Sequence, residues 1–496
     1  MQGHGSRVLQ VVNAMLGGSR YFTGHAMVAE PRYAHIALAI LITAILVTAL
    51  SSACILPFGR DFRTMETPRV GTRLRVGMAA CIAALPCLLD GVQIVVASGV
   101  LFALDPDEEW HLALRAAIVG AFQIGQIVSV LFWPRVADGL GRKAALQIAA
   151  AGQLVALIVM AMYPHNLWVL IGGRVVSGIF FGQMVSALYI SENTPDKLRG
   201  FAVSYVERFV NLGSLIGFCV FFWWSVRTIW TVFAWLAGVN FVLICFLPEV
   251  VARAMPVDTA PEAIPTVLTS GVKRGIFIAC MLGFFQQSSG EEALFGWATH
   301  VADEAGLARP LIFGVILAFI TLLCNIFASL VFDSFGRRTL LIGGMFAMGI
   351  CWALAASLLM LDVGPIPSLA FVLLLEVFYA TSIGPGFLVV ASEVLPDYMR
   401  ASGLGYALFV SRVTACIMVL TFEFLTVTLT MPGTFFILAV IMVCGSAFAF
   451  LYVPETRGKS FKRIQKILEA EEMEESKDVE EQEEEEQKES GRKSEA

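Results

Sequence analysis

Two acidic–basic constellations recur in this chain at nearly the same interval. Ser191-Glu192-x-x-Pro195-Asp196-x-x-Arg199 returns 201 residues later as Ser392-Glu393-x-x-Pro396-Asp397-x-x-Arg400. Asp138-x-x-Gly141-Arg142-Lys143 returns 195 residues later as Asp333-x-x-Gly336-Arg337-Arg338. Carboxylates and guanidinium groups in this arrangement do ion-pair chemistry rather than bond-making chemistry. Two surfaces that carry them form a network when they meet, and water solvates the charges when they part. Plain membrane topology would account for the basic residues alone. It would not account for two copies of the Ser-Glu-x-x-Pro-Asp-x-x-Arg pattern. No nucleophile–base set, phosphate loop or metal-ligand spacing stands out, so an enzyme is disfavoured and neither cofactor nor metal is expected.

A second set of chemistry-bearing residues lies inside apolar runs: Asp90, Gln93, Glu207, Arg208, Gln286, Gln287, Glu291, Glu292 and Arg412. Polar and ionisable groups at membrane depth are costly, and so are functional candidates by default. The bland reading pairs Glu207 or Glu292 with Arg412 as structural ion pairs. The sharper one makes the substrate charged or zwitterionic, or couples a proton through a carboxylate.

The elements that must carry these residues follow from composition and hydropathy. Hydrophobic residues make up 57% and charged ones 15%, against about 45–50% and about 25% in soluble domains. Mean hydropathy is +0.76. Apolar runs at about 76–104, 113–134, 144–163, 167–190, 200–223 and 226–247 are each long enough to span a bilayer. After a polar stretch at 248–273, six more follow at about 274–301, 309–332, 339–361, 366–392, 402–425 and 432–453. Two motifs repeating across two sets of six runs indicate a duplicated half. The expected fold is therefore all-α and polytopic, with two pseudo-symmetric six-helix bundles, 76–247 and 274–453.

Basic residues such as Arg135, Lys197, Arg253 and Lys273 fall on alternate connectors, and acids such as Asp105 and Glu108 on the others. The positive-inside rule makes the basic set, the middle loop and the tail cytoplasmic. The run at 34–58 starts too late and is too long for the apolar region of a cleaved signal peptide; the preferred reading is an extra helix ahead of the core, against an interfacial segment or an error in the gene model. The tail from 454 turns into a Glu/Lys-rich stretch that is expected to be disordered. All ten cysteines lie in apolar runs without a CxxC pair and read as small core residues. No basic surface calls for nucleic acid. The expected partners are the lipid bilayer and a small polar solute.

Taken together these motifs resemble the sugar-porter branch of the major facilitator superfamily. The matching residues are Asp138, Gly141, Arg142 and Lys143; Gly173-Arg174; Glu192, Arg199 and Gly200; Pro248-Glu249; Gln286-Gln287 and Gly290; Asp333, Gly336, Arg337 and Arg338; Glu393 and Arg400; and Pro454-Glu455-Thr456. The resemblance implies two bundles facing a central cavity, a midplane substrate site, and transport by rocking one half against the other. It implies a cytoplasmic gate built from Asp138, Arg142, Lys143, Arg174, Glu192, Arg199, Asp333, Arg337, Arg338, Glu393, Arg400 and Glu455.

For the substrate site it implies Gln286 and Gln287, whose amides offer both donors and acceptors to sugar hydroxyls. Elsewhere the chain departs from the family pattern, with Glu292 for a seventh-helix Asn, Glu207 for a fifth-helix Gln, and Ser411-Arg412 for an eleventh-helix Asn-Trp. Leu388 falls where the tenth helix would carry Trp. Arg412 is also similar to an arginine of organic-anion carriers in the same superfamily. At the coupling position of the first core helix, proton symporters of the family carry Asp; here it is Gln93, with Asp90 one turn earlier. The implied function is facilitative transport of a sugar, polyol or similar solute across the plasma membrane or an organelle membrane. The competing readings are an organic-ion or proton-coupled carrier, and a sensor that binds without transport.

Overall fold

In the computed structural model, residues 70–104, 110–194, 196–247, 270–334, 336–456 and 464 are described, without the side chains of 70–76, 196–202, 328–334, 397, 398 and 401. The expected extra helix at 34–58, most of the middle loop and the acidic tail lie outside these residues. The described chain is helical, without strands. Its helices are α1 (Val70–Leu104), α2 (Leu112–Leu140), α3 (Arg142–Met162), α4 (Leu167–Ile179), α5 (Gln183–Asn193), α6 (Asp196–Cys219) and α7 (Val226–Cys245) in the first half. The second half has α8 (Ser270–Ser288), α9 (Glu291–Glu304), α10 (Pro310–Ser334), α11 (Arg337–Met360), α12 (Pro365–Thr381), α13 (Ile383–Val394) and α14 (Asp397–Tyr452).

Apolar runs must satisfy every backbone polar group internally, which makes them helices. Among the described residues, ten helices or broken helices are long and apolar enough to cross a membrane. One of these contains two spans, because α14 bends at Thr430 (φ 65°) just before Pro432. The pair α8–α9 supplies a further span, so each half has six. Helix α8 starts at Ser270, so Lys273 and Arg274 sit in its first turns rather than on the connector expected to reach 273. Large apolar side chains such as Trp168, Trp235 and Phe246 lie exposed on the outside, where lipid would cover them.

Three spans are broken near mid-depth. Helix α4 ends at Ile179 and α5 begins at Gln183, while α12 gives way to α13 at Ser382. Between α8 and α9 stands Gly290, at φ +85°, a backbone conformation that side chains with a Cβ resist. Irregular backbone at this depth is tolerated where it lines a cavity. Within the first half, α1 and α6 cross at contact distance through Gly91 and Gly213. A Cβ on Gly91 would stand 1.9 Å from the Val210 carbonyl oxygen, and one on Gly213 would stand 1.9 Å from that of Leu88. Small residues let membrane helices approach this closely.

The halves meet along α1 with α9, α2 with α14, and α6 with α10. Their packing merges Val95, Ala97, Ile118 and Val119 of the first half with Phe295, Ala298, Val301 and Val419 of the second in one apolar core.

Candidate functional site

Between the halves lies a cavity of about 610 Å³. Its walls come from the three helix breaks and from the helices beside them. Phe181 and Gln183 flank the first break, Gln286, Gln287, Glu291 and Glu292 the second, and Ala380, Gly384 and Pro385 the third. Helix α6 adds Ser204, Glu207 and Arg208, and α14 adds Arg412. The end of the molecule carrying the repeated motifs is here the motif end, and the other the far end. Ser204 and Glu207 on α6, with Leu388 and Val389 on α13, extend the cavity toward the motif end.

Gln286 and Gln287 stand at the end of α8. The Gln286 amide donates to the Gly384 carbonyl at 3.1 Å, which ties the second break to the third. Arg412 Nη1 lies 3.4 Å from Glu292 Oε2 and 3.3 Å from Gln126 Oε1. With the Gln287 amide turned to suit its neighbours, its nitrogen donates to Glu292 at 3.0 Å and its oxygen accepts from Arg412 Nη2 at 2.7 Å. The Glu292–Arg412 pair is thus present, braced by Gln287, Gln126 and Gln123. Glu207 is not part of it: its carboxylate accepts from the Gln183 amide at 2.8 Å and is exposed to the cavity. Gln126, Asn325 and Tyr379 also line the cavity. They stand among apolar residues as lone polar positions without a repeated motif, so sequence reading passed over them.

Gln93 differs from expectation. It does not line the cavity but is wholly buried between α1 and α4, donating to Ser177 at 3.0 Å. Its neighbour Ile94 takes the cavity face instead, because successive helical residues point about 100° apart. Arg174 is displaced from the gate set for the same reason of position. It is 1% exposed in the interior of the first half, away from the motif end, and donates to the carbonyls of Gln93 (2.8 Å), Ile118 (2.9 Å) and Val119 (3.3 Å). Its fourth acceptor is the Gln93 amide oxygen at 3.2 Å. Asp90, also buried, accepts from Gln153 at 2.8 Å.

At the motif end, the ion pairs seen among the described residues join groups of the same half. In the first, Arg142 bonds Glu192 at 3.0 and 3.1 Å and Asp138 at 2.7 Å. In the second, Arg337 Nε lies 3.7 Å from Glu393, while Glu455 accepts the backbone N–H groups of Arg337 and Arg338 at 3.0 and 3.3 Å. Glu455 therefore caps α11, where an anion suits the helix N-terminus. A Cβ on Gly336 would come within 2.4 Å of that carboxylate, so a larger residue there would push the Glu455 cap aside. Arg400 donates to the Ser392 carbonyl at 3.1 Å. Lys143 makes no ion pair among the described residues. The side chains of Arg199 and Asp333 lie outside them.

Beyond the Gln126–Arg412 and Gln123–Glu292 contacts at the cavity, further polar contacts cross between the halves at the far end. Ser98 and Thr299 share a hydrogen bond of 2.6 Å, and Thr299 N and Oγ1 each bond Ser98 at 3.0 Å. Their separation of 201 residues equals that of the Ser-Glu motif, as befits a contact near the axis relating the halves. Beside them Arg115 of α2 pairs with Glu423 of α14 at 2.9 Å, with His300 of α9 at 3.7 Å from the same oxygen. Glu423 is fully buried.

Comparison with known proteins settles the family. The profile of the family described as "Sugar (and other) transporter" matches residues 78–252 and 257–468. The chain belongs to this transporter family. Among its relatives are "Probable polyol transporter 4" of Arabidopsis thaliana, 26% identical over 83% of this chain and 88% of that protein, and "Glucose transporter GlcP" of Staphylococcus epidermidis, 27% identical over 77% and 95%. The fold is that of the inward-open xylose transporter XylE from E. coli, with a TM-score of 0.68, 22% identity, and coverage of 79% of this chain and 99% of that one. It is a multi-pass membrane transporter rather than an enzyme.

Proposed function

We propose that the chain moves a sugar, a polyol or a similar small polar solute across a membrane by alternating access, without coupling to protons. The observation that carries this reading is the cavity at the three helix breaks, which offers Gln286, Gln287, Gln126 and Asn325 while the far end is sealed between the halves. Amide groups of this kind suit hydroxylated solutes, which both donate and accept hydrogen bonds. The names of the polyol and glucose transporters among the relatives point the same way.

The motif end is assigned to the cytoplasm by its excess of Arg and Lys. The Glu192 and Glu393 clusters, now divided between the halves, then meet when the halves rock together there. The uncoupled reading draws on Arg174, which donates to three carbonyls and one amide oxygen. Purified protein in liposomes should accumulate labelled glucose, xylose or sorbitol down its gradient, with saturation and mutual competition. Binding of these solutes without flux would replace the carrier by a sensor, and neither binding nor flux would overturn the substrate class.

A further inference from the structure

We propose that the preferred solute is a hydroxylated amine carrying one positive charge, such as an amino sugar or amino polyol. The inference rests on the transport reading above and names the substrate more closely. The cavity wall carries three carboxylates, Glu207, Glu291 and Glu292, against two guanidinium groups, Arg208 and Arg412. Glu292 and Arg412 neutralise one another, with Gln287 bridging them. Arg208 lies beneath the wall at 2% exposure, with its guanidinium 5.7 Å from the Tyr205 ring. Glu207 has a neutral partner, the Gln183 amide, and is open to the cavity. Glu291, at the first turn of α9, makes no side-chain hydrogen bond or ion pair among the described residues. It lies within electrostatic reach of three carboxylates, the buried Glu376 behind it, Glu292 and Glu207, against the one cation Arg412, which Glu207 shares.

The wall is thus one positive charge short. In a medium of reduced dielectric an uncompensated carboxylate is expensive, and a mobile cation that fits the cavity is drawn to it. An ammonium is a compact cation with three donors and no acceptor, so it can bond Glu207 and Glu291 together. Gln286, Asn325 and Tyr379 on the same wall remain for hydroxyl groups. A carboxylated or phosphorylated solute is disfavoured, because Arg412 is already engaged by Glu292 and Gln126.

The test compares labelled D-glucosamine, N-acetyl-D-glucosamine and D-glucose in liposomes at pH 7, all three being pyranoses differing at one position. Glucosamine should half-saturate uptake at a concentration at least about tenfold lower than either neutral sugar. Glu207→Gln and Glu291→Gln should each shrink that ratio several-fold, and the double variant should abolish it. Uptake of all three sugars with equal affinity would overturn the amine preference and leave the transport reading standing. If no sugar is taken up, the transport reading fails. Thermal stabilisation of the detergent-solubilised protein then still decides the preference: glucosamine must raise Tm at lower concentration than glucose, or the inference falls. Both substitutions are nearly isosteric, and elution as a single species in size exclusion checks that each variant is folded.

Discussion

At Arg174 a guanidinium is held inside the protein by carbonyl and amide oxygens rather than by a carboxylate. Gln93 is the hinge of that arrangement, accepting from Arg174 while donating to Ser177. Gln93→Leu removes both bonds at almost constant volume. Losing a buried hydrogen bond to a charged group costs about 1.5–3 kcal/mol, so the variant should melt several degrees lower in detergent than wild type. An unchanged Tm would mean that water replaces the amide. At this scale, residue identity was legible and residue facing was not. The pairing of Glu292 with Arg412 could be anticipated, since two opposite charges in apolar runs must find partners. That Gln93 turns away from the cavity depends on a rotation of one residue about the α1 axis, which motif spacing does not define.

Among the elements, the α1–α6 crossing is the most exacting contact. Gly91→Ala would drive a methyl group into the Val210 carbonyl and should destabilise by about 1–3 kcal/mol, as overpacking does. Gly213→Ala should do the same at the Leu88 carbonyl. Because one separation of the helices relieves both clashes, the double variant should lose less stability than the two single losses together. Strict additivity in thermal melts would show that the crossing relaxes locally at each site. The helices themselves were legible, because a run of some twenty apolar residues has only one way to satisfy its backbone in lipid. Their breaks were only partly so. Gly290 and the Gly384-Pro385 pair signal two of them, whereas the gap between Ile179 and Gln183 lacks a proline and shows only in the fold.

For the whole molecule, the decisive division is between a far end bridged by Arg115–Glu423 and Ser98–Thr299 and a motif end whose ion pairs, among the described residues, join groups of one half. Glu423→Gln removes the buried carboxylate that bridges the halves and should favour opening at the far end. A cysteine placed at the cavity-lining Leu388 should then react more slowly with a membrane-impermeant thiol reagent applied from the motif side. An unaltered rate would reduce the Arg115–Glu423 pair to a scaffold contact. The duplicated halves were legible from two motifs repeated at similar intervals. The far-end bridge was not, because Arg115, His300 and Glu423 belong to no repeat and come together only when the halves are assembled.

The sealed far end also has a kinetic consequence. To turn toward the far side, the empty protein must break a buried ion pair and the Ser98–Thr299 bonds with nothing in the cavity to hold the halves in their new arrangement. A bound solute supplies contacts from both halves throughout the turn. Return of the unloaded protein should therefore be the slow step of the cycle. Labelled solute preloaded into liposomes should leave faster into medium containing unlabelled solute than into plain buffer, so that exchange outpaces net flux.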